Sequence, residues 1–384
     1  MKIALLTTDN REHQRTYDET VPRFGPAIEA LLEGLAGIAE LEIHVVACTQ
    51  RSMHAPEKIS HNTWFHLLHV SKIGWLRTGY QGCVRAIRKR LREIEPDLVH
   101  GQGTERECAL AAVYSGFPNV VTIHGNLGQV ARAMHARIGS YLWCAARLET
   151  YALRRAGGIL CNSAHTERVV KRRNRRTWRV PNAVRLAFFE TPIPAGPRPG
   201  TPILLNIGVV APFKRQLELL SVAEELQRQG LTFEWQFVGA ANPRLPYARE
   251  FLGRIAAAER LGFARHLQPR NLADLIALYD SASALIHAPA EEAFGLVVAE
   301  ALSRNLKFIG SRTGGMPDIA EGVEGTELFP PGNDEAVGKA VARWLGEGSP
   351  RPTTAAEMRA RYHPEVIARK HLEIYRDLLT EGPI

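Results

Sequence analysis

The chain has 384 residues, more than twice the ~150-residue size of a common single domain, so two domains of similar size are expected. With 45% hydrophobic and 23% charged residues it is not a disordered chain, and no run of 18 apolar residues offers a membrane-spanning helix. The formal charge of +8 is uneven: residues 1–190 hold 27 Lys and Arg against 17 Asp and Glu, while 191–384 hold 21 against 23, so the N-terminal half is the part that attracts anionic partners.

In chain order, short apolar runs at 2–8, 42–48, 97–102 and 119–125 alternate with helical patterns at 26–39, 82–94 and 107–116. Such alternation reads as βαβ units and a parallel sheet covered by helices. The first ten residues hold only four consecutive apolar residues, too few for a signal-peptide core, so a cytoplasmic protein is expected. A strand at 157–164, a helix at 165–174 and a short strand at 178–182 complete the first half. Residues 191–202 carry five prolines and two glycines, which neither a helix nor a central strand accommodates. The expected division is therefore an N-terminal domain at 1–188, a linker at 189–201 and a C-terminal domain at 202–362. The second half repeats the style, with strands near 202–208, 232–240 and 307–311, helices near 217–230 and 296–305, and a further apolar segment at 272–288. A last helical pattern at 364–379, within a separate 363–384 segment, sets Val366, Ile367, His371, Ile374 and Leu378 near one face and can return to the N-terminal domain. The fold class is α/β, with two Rossmann-like domains built on parallel sheets. The five cysteines, Cys48, Cys83, Cys108, Cys144 and Cys161, form no C-x-x-C pair, which fits reduced thiols and no zinc framework.

The chemistry concentrates in 289–318. Glu292 precedes Phe294-Gly295, and Glu300 lies eight residues on, inside the helix that Gly295 opens. A turn glycine lets backbone approach a ligand, and the N–H groups at a helix start attract phosphate or sugar oxygens. Taken alone, this pair reads more readily as a helix cap and a surface charge than as a binding site. Gly314-Gly315-Met316-Pro317-Asp318 supplies a second turn of this kind. Upstream, a strand ends at Gly208 and Lys214-Arg215 follow, placing two cations past a strand's carboxyl end, where ligands of open α/β sheets bind. Three such turns in one domain form a cradle for a nucleotide diphosphate.

These segments resemble the retaining glycosyltransferases of the two-domain GT-B fold, family 4 type, the group related to glycogen and sucrose synthases. EAFGLVVAEAL resembles the E-x-F-G-x4-E-A signature, GGMPDI the G-G-x-x-E turn, and NIGVVAPFKRQ the G-R-L-x-x-x-K-G element. PDLVHGQG and TIHGN resemble strand ends of the N-terminal domain, VPNAV at 180–184 the P-N-G-V junction, and Phe24-Gly25-Pro26 the glycine turn that opens the first helix. The resemblance implies sheets facing across a cleft, with the nucleotide-sugar donor in the C-terminal domain and a hydroxyl acceptor on the N-terminal side. It further implies that Glu300 binds the ribose and Glu292 the donor sugar. Phe294, Gly295 and Leu296 would offer backbone N–H groups, Lys214 would neutralise the diphosphate, and His124 would hydrogen-bond the sugar. Gly25 and Gly208 fall at the family's glycine turns. Three positions depart from the pattern: Val209 replaces an arginine, for which Arg215 is the substitute at hand, Asp318 replaces a glutamate, and Ala183 a glycine.

Because a sugar nucleotide already carries a good leaving group, the protein mainly has to stabilise negative charge developing on the β-phosphate. Fixed cations and helix N-termini do this, and the sequence has no D-x-D, so no metal or other cofactor is expected. The basic N-terminal half suggests an anionic or lipid-linked acceptor and peripheral attachment to an anionic membrane surface, in surface polysaccharide, lipopolysaccharide or glycolipid synthesis. Three other readings stand beside transfer: an epimerase or phosphorolytic enzyme of the same fold, a degenerate binding partner in which Val209 marks lost activity, and a nucleic-acid binder. No nucleic-acid motif accompanies the basic runs at 85–94 and 168–179, so no specific nucleic acid is expected. The absence of G-x-G-x-x-G disfavours a dehydrogenase.

Overall fold

A computed structural model describes residues 1–194 and 200–380. The chain divides into two units: residues 1–186 together with the chain from Tyr362 onward, and Ala187–Arg361. Of the expected 189–201 linker, residues 195–199 lie outside the described residues, as do 381–384 of the last segment. No helix among the described residues is long and apolar enough to cross a membrane.

The first unit is built on β1 (Lys2–Leu6), β2 (Glu42–Thr49), β3 (Lys58–Ser60), β4 (Thr63–His69), β5 (Leu98–Gln102), β6 (Asn119–Ile123), β7 (Ile159–Cys161) and β8 (Thr177–Arg179). They form one sheet in the order β3-β4-β2-β1-β5-β6-β7-β8, parallel except for the antiparallel β3–β4 edge pair. β1 reads as a continuous apolar run because helices cover both faces of the sheet. Ile3 and Leu5 enter one core with Ile28, Leu31, Ile367 and Leu378; Ala4 and Leu6 enter the other with Val84, Ile87 and Leu91. In helix Gln81–Ile94 the apolar stripe Cys83, Val84, Ile87, Leu91 and Ile94 is buried, leaving Arg85, Lys89 and Arg92 exposed.

Helix Pro364–Thr380 packs on helix Pro26–Ala36. The crossing is close because residue 34 is glycine: a Cβ there would lie 2.2 Å from the Pro364 carbonyl oxygen. Ile367, His371, Ile374 and Leu378 are buried and Val366 is half-buried. The same helix meets a buried polar network, in which His100 Nδ1 lies 2.6 Å from Tyr375 Oη and Nε2 2.7 Å from Thr122 Oγ1.

Burial pushes the His371 ring down to about 4 from an ordinary 6.5, so it stays neutral at physiological pH. Below pH 6.5 the unfolded chain takes up a proton that this ring refuses, so its contribution to stability is lost as pH falls towards 4. Glu105 works in the opposite direction, burial raising its carboxyl to about 6, so the histidine's effect is best read as a difference. The melting temperature of the native protein relative to a His371→Phe variant is expected to fall as pH drops from 6.5 to 4 in calorimetry; a constant difference would refute it.

The second unit is built on β9 (Ile203–Ile207), β10 (Glu234–Val238), β11 (Ala264–Leu267), β12 (Ala284–His287), β13 (Lys307–Ser311) and β14 (Thr326–Phe329). All pair in parallel, in the order β11-β10-β9-β12-β13-β14. Leu204, Trp235, Phe237, Ile286 and Ile309 form its core with Leu219, Ala223 and Val341. The chain enters this unit under the control of Arg304, which is fully buried. Its guanidinium donates to both Asp280 carboxylate oxygens at 2.8 Å and to the carbonyls of Phe188, Thr191 and Pro192 at 2.7–3.0 Å. A buried guanidinium needs such an array, because an unpaired one would pay a large desolvation cost.

Candidate functional site

Where strand order reverses in a parallel sheet, the loops leaving the two neighbouring strands diverge and open a crevice at their carboxyl ends. In the second unit those strands are β9 and β12. Their loops, 208–215 and 288–295, carry most of the expected donor residues.

After β9 the chain turns at Gly208 (φ 154°) and runs through a short 3-10 turn, Pro212–Lys214, before helix Gln216–Arg228. The turn is tied to the second loop, since the Ala290 N–H donates to the Phe213 carbonyl at 2.8 Å. Lys214 Nζ then lies 2.7 Å from Glu292 Oε2, and both side chains are 16% exposed. His287, the last residue of β12 and 1% exposed, places Nε2 3.2 Å from the same oxygen, while Glu292 Oε1 accepts from the Ala293 N–H at 3.1 Å. Burial alone would raise the Glu292 carboxyl, but the Lys214 ammonium and the His287 hydrogen bond outweigh it and hold the group well below the usual range. It is a carboxylate at any working pH, an acceptor for hydroxyls rather than an acid. Lys214 Nζ has three N–H donors and spends one on Glu292, so it retains donors for a ligand.

Gly295 (φ 96°) is the N-cap of helix Leu296–Ser303 and, having no side chain, does not cap that helix's first N–H groups, which are the kind that attract anionic oxygens. Phe294 is buried and Leu296 half-buried. Glu300 is no surface charge: it is 3% exposed and accepts from Tyr279 Oη at 3.1 Å. The third turn closes against the second. Gly314 (φ 60°) approaches the Glu292 carbonyl so closely that a Cβ would lie 1.9 Å from its oxygen, and Ser311 Oγ donates to the Pro289 carbonyl at 2.8 Å. These contacts fix the Glu292 loop from the β13 side.

Two strands in each unit mark such a reversal, and family membership decides how this one is read. Residues 190–363 match the family model described as glycosyl transferases group 1, and residues 27–188 match glycosyltransferase family 4. The chain belongs to the family 4 glycosyltransferases. Over 137 residues it is 34% identical to D-inositol 3-phosphate glycosyltransferase of Corynebacterium urealyticum, a match that spans 33% of this chain and 32% of that relative. Among solved structures it is similar to sucrose-phosphate synthase of Thermosynechococcus elongatus, with TM-score 0.75, 18% identity and 100% of both chains covered. It is also similar to Anabaena HepE in complex with UDP-glucose, with TM-score 0.71, 17% identity and 98% and 100% covered. These likenesses establish the GT-B fold.

Against the family pattern, the transferase holds several expected residues together and others apart. Gly208, Lys214, Glu292, Phe294, Gly295 and Leu296 lie on or beside the loops at the carboxyl ends of the adjacent strands β9 and β12. Arg215 follows Lys214, but its guanidinium turns to Asp334 Oδ2 at 2.8 Å and to Glu218 at 3.7 Å. Val209, where the family has arginine, is 50% exposed. Gly25 caps helix Pro26–Ala36 with an ordinary extended backbone (φ −72°). Ala183 is buried, and Asp318 lies in the short helix Met316–Ala320.

His124 belongs to the first unit, just past β6. Its Nε2 lies 2.8 Å from Gln102 Oε1, and burial pushes its ring down to about 4, so it is a neutral hydrogen-bonding group. His287 is absent from the sequence reading. Its signal is faint, a histidine ending an apolar strand five residues before Glu292.

Proposed function

We propose that this transferase moves a sugar, with retention of configuration and without a metal ion, from a nucleotide-diphosphate sugar held by the second unit to an acceptor hydroxyl. The observation that carries this reading is the Lys214–Glu292–His287 cluster at the β9/β12 reversal, beside an uncapped helix N-terminus. Lys214 and the N–H groups at the Gly295 turn would meet the charge that develops on the departing phosphate. Glu292, held ionised, would accept hydrogen bonds from the sugar hydroxyls, and Glu300 from the ribose. Glu292 is already engaged by Lys214 and His287, which leaves the departing phosphate oxygen as the proposed base for the acceptor proton, on the same face as the attack. His124, as a neutral ring, would contribute a hydrogen bond rather than a charge.

The N-terminal surplus of Lys and Arg supports an anionic or lipid-linked acceptor, met at the cytoplasmic face of a membrane during polysaccharide or glycolipid synthesis. A second reading, a donor-binding partner without activity, is favoured by one feature, Val209 in place of arginine. UDP-glucose, the sugar nucleotide bound to HepE, is the first probe. A donor that binds only the folded protein at 100 times its Kd adds about 2.7 kcal/mol of stability and raises the melting temperature. That rise is expected for at least one sugar nucleotide and is expected to vanish in Glu300→Ala. A panel of sugar nucleotides that all leave the melting temperature unmoved would overturn the donor assignment. Binding without UDP release to any acceptor would favour the inactive partner.

A further inference from the structure

The loops that follow β1, β2, β4 and β5 surround an open cavity of about 760 Å³ in the first unit. Four cationic side chains line it, Arg15, Arg51, Lys72 and Arg106, against one carboxylate, Glu12. Glu12 is already engaged, accepting from Thr49 Oγ1 at 2.8 Å and from the Gln50 N–H at 3.1 Å. Arg15, Arg51 and Lys72 have no carboxylate within 4 Å among the described residues. Each of the four comes from a different part of the chain, so they converge only because the strands end side by side.

Two of these cations are held in place. The Arg106 guanidinium sits 4.5 Å over the Trp75 ring, its Nε donates to Glu107 Oε2 at 3.2 Å, and one terminal nitrogen is buried without a hydrogen-bond partner. Arg51 sits 4.8 Å over the Tyr17 ring. Arg106 is paired with Glu107, but gathering the other three cations beside it around one concavity is unfavourable until an anion enters, and a guanidinium fork matches phosphate oxygens in geometry as well as charge. Trp75, Tyr80 and Tyr141 add aromatic walls suited to a carbon skeleton. A phosphate monoester carries about two negative charges at neutral pH and so engages several cations at once.

We infer that this cavity binds the phosphoryl group of the acceptor, which is therefore an organophosphate bearing a free hydroxyl. The acceptor role rests on the transferase reading above; the anion site itself does not. The phosphoryl group has two possible sources, a soluble polyol phosphate or a phospholipid head group.

Calorimetric titration of the full chain with the donor site filled by UDP tests the inference. The probes are glycerol 3-phosphate and phosphatidylcholine vesicles with and without phosphatidic acid. Binding of one probe is expected and identifies the source. An Arg15→Gln/Arg51→Gln/Lys72→Gln variant, altered only at exposed side chains without ion pairs, is expected to weaken it on the order of tenfold or more and to leave UDP affinity unchanged. Arg106→Gln gives a second reading, with a native-like cooperative thermal unfolding of the full chain reporting that the first unit has folded. Binding of neither probe, or binding that the triple variant leaves intact, overturns the site. If the probes bind in this variant-dependent way while neither UDP nor any sugar nucleotide binds, the anion site stands and the transferase reading falls.

Discussion

Lys214→Ala is expected to lower the rate of sugar transfer by about 10²–10³-fold, the loss seen when one fixed donor to a developing oxyanion is removed. The structure adds a second consequence. Lys214 is the cation that keeps Glu292 ionised, and removing it leaves a largely buried carboxylate with His287 and one N–H group as partners. Breaking a buried pair from one side costs about 3 kcal/mol, because the remaining charge loses its compensation. The two consequences separate in the double variant Lys214→Ala/Glu292→Gln, which is expected to regain most of the melting temperature and none of the activity. Steady-state release of the donor nucleotide and calorimetry together check it. If Lys214→Ala transfers sugar at the native rate, the diphosphate is met elsewhere and the site assignment is wrong.

Gly314→Ala is the second change with a large expected effect, although it adds only one methyl group. At φ 60° any other residue is strained, and the new Cβ would lie 1.9 Å from the Glu292 carbonyl oxygen, well inside contact distance. The overlap cannot be relieved by a side-chain rotation, since both partners are backbone. Either the 312–315 turn or the Glu292 loop has to move, at a cost of about 2 kcal/mol or more. Movement of the Glu292 loop would also disturb the contact with Lys214, so donor affinity is expected to fall with stability. Gly253→Ala supplies the comparison: it lies in helix Pro246–Leu261 with nothing within 4 Å of a new Cβ, and is expected to be neutral or to stabilise by about 0.5–1 kcal/mol. Thermal unfolding of the two variants, with and without a sugar nucleotide, is the measurement. Equal behaviour would mean that the turn does not brace the Glu292 loop.

The elements most legible in the sequence are those whose local pattern has one solution. β1, β2, β5, β6, β9 and β13 are short apolar runs between turn residues, and helix Gln81–Ile94 carries a clean stripe of buried residues. β3 and β4 are absent from the sequence reading for a physical reason. They form the sheet edge, where His66 and His69 break the apolar run of β4, and His44 and Trp64 stack at 5.3 Å. Helix Pro246–Leu261 is likewise hidden, because Asn242, Pro243 and Pro246 mark its start as a loop. Among site residues, Glu292 and Glu300 were both named from one motif, yet their surroundings differ. Glu292 lies beside a cation and Glu300 beside a tyrosine hydroxyl, a distinction that spacing along the chain does not encode.

By itself the sequence determined the α/β class, the run of strands and helices and the family, and it proposed a short list of candidate donor-side residues, because periodicity, turn glycines and motif spacing are properties of neighbours in the chain. Only the tertiary structure decided which of those residues meet. Lys214 reaches Glu292 across 78 positions because β9 and β12 are adjacent in the sheet, His287 joins them from the strand end, and Gly314 braces the loop from the next strand. The same convergence gathers Arg15, Arg51, Lys72 and Arg106, scattered in the sequence, around one cavity. In a parallel sheet all carboxyl ends point one way, so the loops that carry function are brought together by strand order, which no single segment of sequence contains.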